Sequence, residues 1–164
     1  MVNLILLIGT SGSGKTTWAK EFCNKHENAI RISADDLRIK LTGNIDDKSK
    51  DYEVHKLAVK RVFDCLKNVQ IPVFDSTNLN KFKRRTFLSA IRSKYPNINI
   101  QYVLMHLDPE EAKKRIKFDL EKGIHRANVS DETIDRHAES YAQMLIDIQD
   151  EGIYEFNRKV FVKS

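Results

Sequence analysis

Gly9, Gly14, Lys15 and Thr16 have the spacing of a phosphate loop: two glycines five apart, then a lysine and a hydroxyl side chain. Ser11, Gly12 and Ser13 fill the loop and Thr17 follows it. Glycines let the backbone turn tightly, so that successive N–H groups converge on an oligophosphate. A helix starting at the loop adds its N-terminal dipole to that anion site. Lys15 can then reach the β- and γ-phosphates, and the Thr16 hydroxyl can ligate Mg²⁺. This is the chemistry of binding a nucleoside triphosphate, ATP or another, with its metal. The bland reading, a Gly-Ser turn before a helix, does not account for the lysine and threonine that complete the pattern. The apolar run Val2 to Ile8 before it and the helix-compatible stretch from Thr17 to Phe22 after it supply the required context.

Three further places carry side chains that could complete a phosphoryl transfer. Asp35 and Arg38 follow a short apolar run and lie three apart, so on a helical turn they share a face. A carboxylate there can accept a proton from an attacking hydroxyl, and a guanidinium beside it can hold a substrate phosphate in a fork. The same stretch also reads as a Ser33 N-cap with acidic residues offsetting the helix dipole, and the residues alone leave both readings open. Asp75 ends another apolar run, where an aspartate can hold Mg²⁺ directly or through water; an Asx-type cap on the following loop is the other reading. Arg126 lies in the stretch 115–130 between two helical segments, with one glycine, Gly123. It is the candidate for a basic lid closing over the phosphates, with Arg115 second; a solvated connector is the alternative. Lys81, Lys83, Arg84 and Arg85 could touch a nucleic-acid backbone, although such a run is more often a solvated helix face.

The elements that must position these groups alternate along the chain. Short strands are expected at Val2 to Ile8, Ala29 to Ser33, Ile71 to Asp75, Ile98 to Leu107 and, last, Lys159 to Val162. Between them lie a helix after the phosphate loop, an amphipathic helix from Tyr52 to Val69 and a basic helix from Lys81 to Lys94, stopped before Pro96. Asp108, Pro109, Glu110 and Glu111 mark a helix start whose helix ends near Gly123, and Ser130 opens another that runs to about Gln149. Strand–helix alternation gives an α/β fold: a parallel sheet with helices on both faces and ligands at the carboxyl ends of the strands.

At 164 residues the chain is expected to form one domain with a proper core. Its net charge of +5 suits a polyanionic partner but equally describes an ordinary, slightly basic surface. Two cysteines, Cys23 and Cys65, lack the spacing of a metal or redox pair and are expected to pack as small apolar residues in a reducing compartment. No apolar run reaches the length of a membrane span, and the phosphate loop stands where a signal-peptide cleavage site would be, so the cytoplasm is the expected compartment. The five histidines show no ligand spacing. Assembly into a homo-oligomer is left open.

With these places in view, the chain resembles the 5′-hydroxyl polynucleotide kinase domain of phage end-healing enzymes and, more broadly, P-loop kinases around that family. The resemblance rests on Gly-Thr-Ser-Gly-Ser-Gly-Lys-Thr-Thr-Trp-Ala at 9–19, Ile-Ser-Ala-Asp-Asp-Leu-Arg at 32–38, Asp-Ser-Thr-Asn-Leu-Asn at 75–80 and His-Arg-Ala-Asn-Val-Ser at 125–130. It implies a three-layer α/β/α P-loop kinase fold with a helical lid over about 115–130. It implies Asp35 as general base toward a 5′-hydroxyl, Arg38 on the neighbouring nucleic-acid phosphate, and Thr77 and Asn78 shaping the acceptor site. Lys15 and Arg126 would stabilise the transferring phosphoryl, and Thr16 would serve the metal. The acidic residue before Thr-Asn-Leu-Asn sits one position earlier than in the phage relatives, and the stretch 115–129 is several residues longer. Their phosphatase domain has no room here, so a kinase-only chain is expected, in the host cytoplasm if it is phage-encoded.

The function expected is thus Mg²⁺-dependent transfer from ATP or another nucleoside triphosphate to the 5′-hydroxyl end of DNA or RNA. A close alternative keeps fold and mechanism but takes another hydroxyl: a hydroxymethylated base in phage DNA, a nucleoside, a sugar or a nucleotide-sugar. A nucleotide-operated switch without an acceptor is the reading from a different class. The chain has no Asn-Lys-x-Asp motif for it, and it would leave Asp35 and Arg38 idle.

Overall fold

A computed structural model describes residues 3–151 and the backbone of 156–160. Five strands, β1 (Leu4–Gly9), β2 (Ala29–Ser33), β3 (Ile71–Asp75), β4 (Ile100–His106) and β5 (Phe156–Val160), form one sheet in the order β2-β3-β1-β4-β5. Every neighbouring pair is parallel. The helices are α1 (Lys15–Lys25), α2 (Ala34–Thr42), α3 (Asp51–Lys67), α4 (Lys81–Lys94), α5 (Pro109–Glu121) and α6 (Asp131–Asp150).

The central strand β1 is apolar throughout because both its faces are covered, as parallel sheets require. Leu4, Leu6 and Ile8 point to one face and join a core with Val54, Ala58, Phe87, Ile91 and Met144 of α3, α4 and α6. Ile5 and Leu7 point to the other, where Ala19 of α1 is buried and Trp18 and Phe22 pack against the cluster. Phe74 and Phe87 stack at a centroid separation of 4.3 Å, fixing α4 against β3. Since β3 ends at Asp75 and α4 begins at Lys81, this packing also fixes the loop between them.

The helix starts follow the side chains expected to cap them. Ser33 Oγ accepts from Asp36 N, Asp108 Oδ1 accepts from Glu110 N and Glu111 N, and Ser130 Oγ accepts from Thr133 N. The Ser33 cap opens the nine-residue helix α2. Gly43 ends it with φ near +76°, a conformation glycine takes without strain. The helical part of the 115–130 stretch is the second half of α5; 122–130 is irregular up to the Ser130 cap. The last strand is placed at Phe156–Val160, so the expectation of Lys159 to Val162 overlaps it by two residues, and Phe161 and Val162 lie outside the described residues.

The basic run on α4 requires a correction. Arg84 is neither a nucleic-acid contact nor part of a solvated face. It is 1% exposed, its Nη2 lies 2.7 Å from Glu151 Oε1, and its Nη1 donates to the carbonyls of Asn78 and Leu79. Lys81 and Arg85 approach Asp147 of α6 and Glu151, its C-cap residue, at 3.5 and 3.8 Å. Most of the run therefore docks α4 onto the end of α6, because a cation this close to the core needs a carboxylate partner. Among the described residues no helix is long and apolar enough to cross a membrane.

Candidate active site

The carboxyl ends of β1, β2 and β3 open into a cleft of about 1290 Å³, with the phosphate loop as its floor, α2 on one side and the 122–130 stretch opposite. Gly9 passes so close under β4 that a Cβ built on it would lie 2.2 Å from the Met105 carbonyl oxygen. Gly12 and Gly14 take φ values of +77° and +92°, the left-handed turns that make the loop's N–H groups converge. Ser11, Gly12, Gly14, Lys15, Thr16 and Thr17 line the cleft, whereas Gly9 and Ser13 are buried beneath it and support the loop.

Lys15 is 8% exposed and donates from Nζ to the Thr10 carbonyl at 2.6 Å, with Ser13 Oγ at 3.5 Å. Burial lowers its pKa to about 8; Asp75 and Asp35 pull the other way and the Arg126 charge adds to the drop. Burial disfavours the charge on Lys15, and an anionic ligand would offset that cost. Thr16 Oγ1 donates to Asp75 Oδ2 at 2.9 Å, which joins the two groups assigned to a metal. Both offer oxygen, the donor that Mg²⁺ takes. Among the described residues no group of three or more His, Cys, Asp or Glu could hold a metal, so a cation at Thr16 and Asp75 would complete its shell with phosphate and water.

On the α2 side of the cleft Arg38 Nη1 lies 2.6 Å from Asp35 Oδ1, and its Nε and Nη2 reach Asp51 Oδ1 at 3.0 Å. The Asp35 side chain is 52% exposed, so its carboxylate faces the cleft with room for a further partner. Ser33 caps α2 and also lines the cleft, so the cap is formed at the cleft's edge. Thr77 lines the cleft and its carbonyl accepts from Gly9 N at 3.0 Å. Asn78 lies behind the lining residues, and its Nδ2 donates to the Leu7 carbonyl at 2.7 Å. With φ at +49°, it shapes the loop by tying it to β1. Arg126 is ion-paired with Asp119 of α5, and its buried Nε has no hydrogen-bond partner among the described residues. Arg115 also lines the cleft, 4.0 Å from Glu111. The backbone N–H of Asn128 donates to Asp46 Oδ1 at 3.0 Å, closing the 122–130 stretch against the loop after α2.

Two cleft residues escape sequence reasoning. Ser11 N donates to His137 Nδ1 of α6 at 3.3 Å. Burial, then the Lys15, Lys48 and Arg136 charges, lower the His137 pKa to about 4, so the ring accepts as neutral imidazole. No spacing in the sequence signals it. Arg31 of β2 donates to Asp75 and Asp36, and a lone arginine inside an apolar strand was the available sign.

With this geometry in place, comparison with known proteins is informative. The AAA domain profile matches residues 4–144, most of the chain. The chain belongs to the AAA domain family. Within that broad group this AAA domain has the α/β fold of P-loop kinases, as its structural relatives show. One is a chain of the Pnkp1/Rnl/Hen1 RNA repair complex, with TM-score 0.76 and 22% identity over 89% of this chain and 46% of that one. A second structure of that complex gives TM-score 0.60 and 25% identity, over 79% and 41% of the two chains. This AAA domain thus spans less than half the length of the repair-complex chains it matches. A gluconokinase from Sinorhizobium meliloti is similar over 99% of this chain and 84% of that one, at 14% identity and TM-score 0.61.

Proposed function

We propose that this chain is a Mg²⁺-dependent polynucleotide kinase, one kinase domain with a lid over about 115–130, that moves the γ-phosphoryl of ATP or another triphosphate onto the 5′-hydroxyl end of DNA or RNA. The observation that carries this reading is the Asp35–Arg38 pair at 2.6 Å, facing the cleft whose floor is the phosphate loop. A nucleotide switch has no use for such a pair. The repair-complex neighbours support a nucleic-acid acceptor.

In this reading the N–H groups of the loop from Ser11 to Thr17 cradle the phosphates, and Lys15 leaves the Thr10 carbonyl for a γ-phosphoryl oxygen. Thr16 and Asp75 would hold Mg²⁺, which would supply positive charge against the triphosphate. Arg38 binds the phosphate next to the terminal nucleotide, which orients the 5′-hydroxyl toward Asp35. The Asp35 carboxylate takes the hydroxyl proton as the oxygen attacks the γ-phosphorus, and the nucleoside diphosphate leaves. Arg126 turns from Asp119 to the transferring phosphoryl, where positive charge stabilises the transition state.

The test separates chemistry from binding. Asp35→Asn keeps the side-chain shape but cannot take the proton. It is expected to slow transfer by about 10²–10⁴-fold while leaving triphosphate affinity within about threefold. Arg38→Gln should instead raise the acceptor KM. An Asp35→Asn protein that transfers at the original rate would end the assignment of Asp35 as base.

A further inference from the structure

Arg31 stands on β2 in register with Val73, two residues before Asp75 on the neighbouring strand. Its side chain reaches along the sheet toward the cleft, 18% exposed. Nε and Nη2 both lie 2.8 Å from Asp75 Oδ2, while Nη1 lies 2.8 Å from Asp36 Oδ2. The same Oδ2 accepts the Thr16 hydroxyl at 2.9 Å. One buried carboxylate oxygen thus collects three donors, two of them from a guanidinium that never loses its charge. That is the Asp75 oxygen turned toward the Thr16 hydroxyl.

We propose that Arg31 is a positioning residue that keeps Asp75 turned onto Thr16 and closed to a divalent cation until the triphosphate brings the cation with it. Three donors occupy Oδ2, so a cation that binds through this oxygen must displace one of them. A dication beside a guanidinium is repelled, strongly so in a partly buried site. The phosphates remove that obstacle, since their negative charge lies on the cation's other side and supplies the ligands the protein lacks. The absence of a preassembled group of three acidic, His or Cys ligands among the described residues fits a site that is completed by the nucleotide. Asp36 anchors the far end of the fork, so the guanidinium holds its place when Asp75 is shared.

This rests on the triphosphate-binding half of the proposed function and not on the acceptor. Its test therefore contains no acceptor: failure to label a 5′-hydroxyl end would leave it standing, and its own failure would leave transfer to that end untouched. Mn²⁺ binding, followed by electron paramagnetic resonance, is measured without nucleotide and with a non-hydrolysable ATP analogue. The unaltered protein should bind Mn²⁺ at least tenfold more weakly without the analogue. Arg31→Gln should gain at least tenfold in Mn²⁺ affinity without nucleotide, and Arg31→Lys, which retains the charge, should not. An Arg31→Gln protein with no gain would overturn the proposal. Should that variant fail to fold, nuclear magnetic resonance of the unaltered chain decides. The Arg31 Nε–H signal should ignore millimolar Mg²⁺ alone and shift when Mg²⁺ and the analogue are added together. A shift with Mg²⁺ alone would overturn the proposal.

Discussion

Replacing Lys15 by methionine should abolish triphosphate binding and yet stabilise the empty protein. Lys15 is 8% exposed, and its pKa falls from 10.5 to about 8, chiefly through burial. The unfolded chain keeps the proton up to the ordinary value, so between about pH 8 and 10.5 it binds more protons than the folded one, and stability rises with pH there. Below pH 8 both states are protonated and the full cost of the buried ammonium is present, roughly 3 kcal/mol for this displacement. Methionine fills a similar volume and removes that cost, but it also loses the bond to the Thr10 carbonyl, worth about 1 kcal/mol. The net gain at pH 7 is therefore about 2 kcal/mol, or roughly 4–8 °C in Tm for a chain of this size. At pH 10 the remaining cost in the native protein is under about 1 kcal/mol, and the advantage should vanish. Urea unfolding of both proteins at pH 7 and pH 10 measures the difference. Destabilisation by Lys15→Met at pH 7, or a gain that does not change with pH, would refute the reasoning.

Two further substitutions probe the parts that hold the site. Gly9→Ala forces a Cβ onto the Met105 backbone oxygen at 2.2 Å, which no rotamer change relieves. It should cost about 3 kcal/mol or more in chemical unfolding, and a midpoint near that of the native protein would contradict the close approach of β1 and β4. Arg84→Met removes the two close guanidinium donors of the Glu151 carboxylate, whose side chain is 7% exposed, and leaves it Arg85 at 3.8 Å. The expected loss is about 3–5 kcal/mol, partly recovered by adding Glu151→Gln; a loss under about 1 kcal/mol would show that the pair does not dock α4 onto α6.

The strands and the phosphate loop were legible because their signals are local. A fully apolar run, a glycine spacing and an N-cap each depend on a few adjacent residues, and β1, the loop, α5 and α6 followed them. Asp35 and Arg38 were legible as a pair because one helical turn brings them together. What was not legible depends on chain segments far apart. Arg84 looked like surface charge until the end of α6, carrying Glu151, was placed beside it, 67 residues away. Asn78 was expected to shape the acceptor site, and the bond of its amide to a β1 carbonyl 71 residues earlier was not foreseen. His137 meets Ser11 across 126 residues, and nothing near either position announces the contact. Arg31 did leave a trace, a charge in an apolar strand, but its meaning came only with the register that sets β2 beside β3.

The central claim is that the cleft joins a triphosphate donor to a 5′-hydroxyl acceptor. The direct measurement supplies ATP labelled in the γ-phosphate and Mg²⁺, and offers a 5′-hydroxyl oligonucleotide, its 5′-phosphorylated counterpart, a duplex with hydroxymethylated bases and a set of small sugars and nucleosides. Label on the 5′-hydroxyl oligonucleotide and not on its phosphorylated counterpart is the predicted result. Label confined to the modified duplex or the small alcohols, or hydrolysis with no transfer at all, would contradict it.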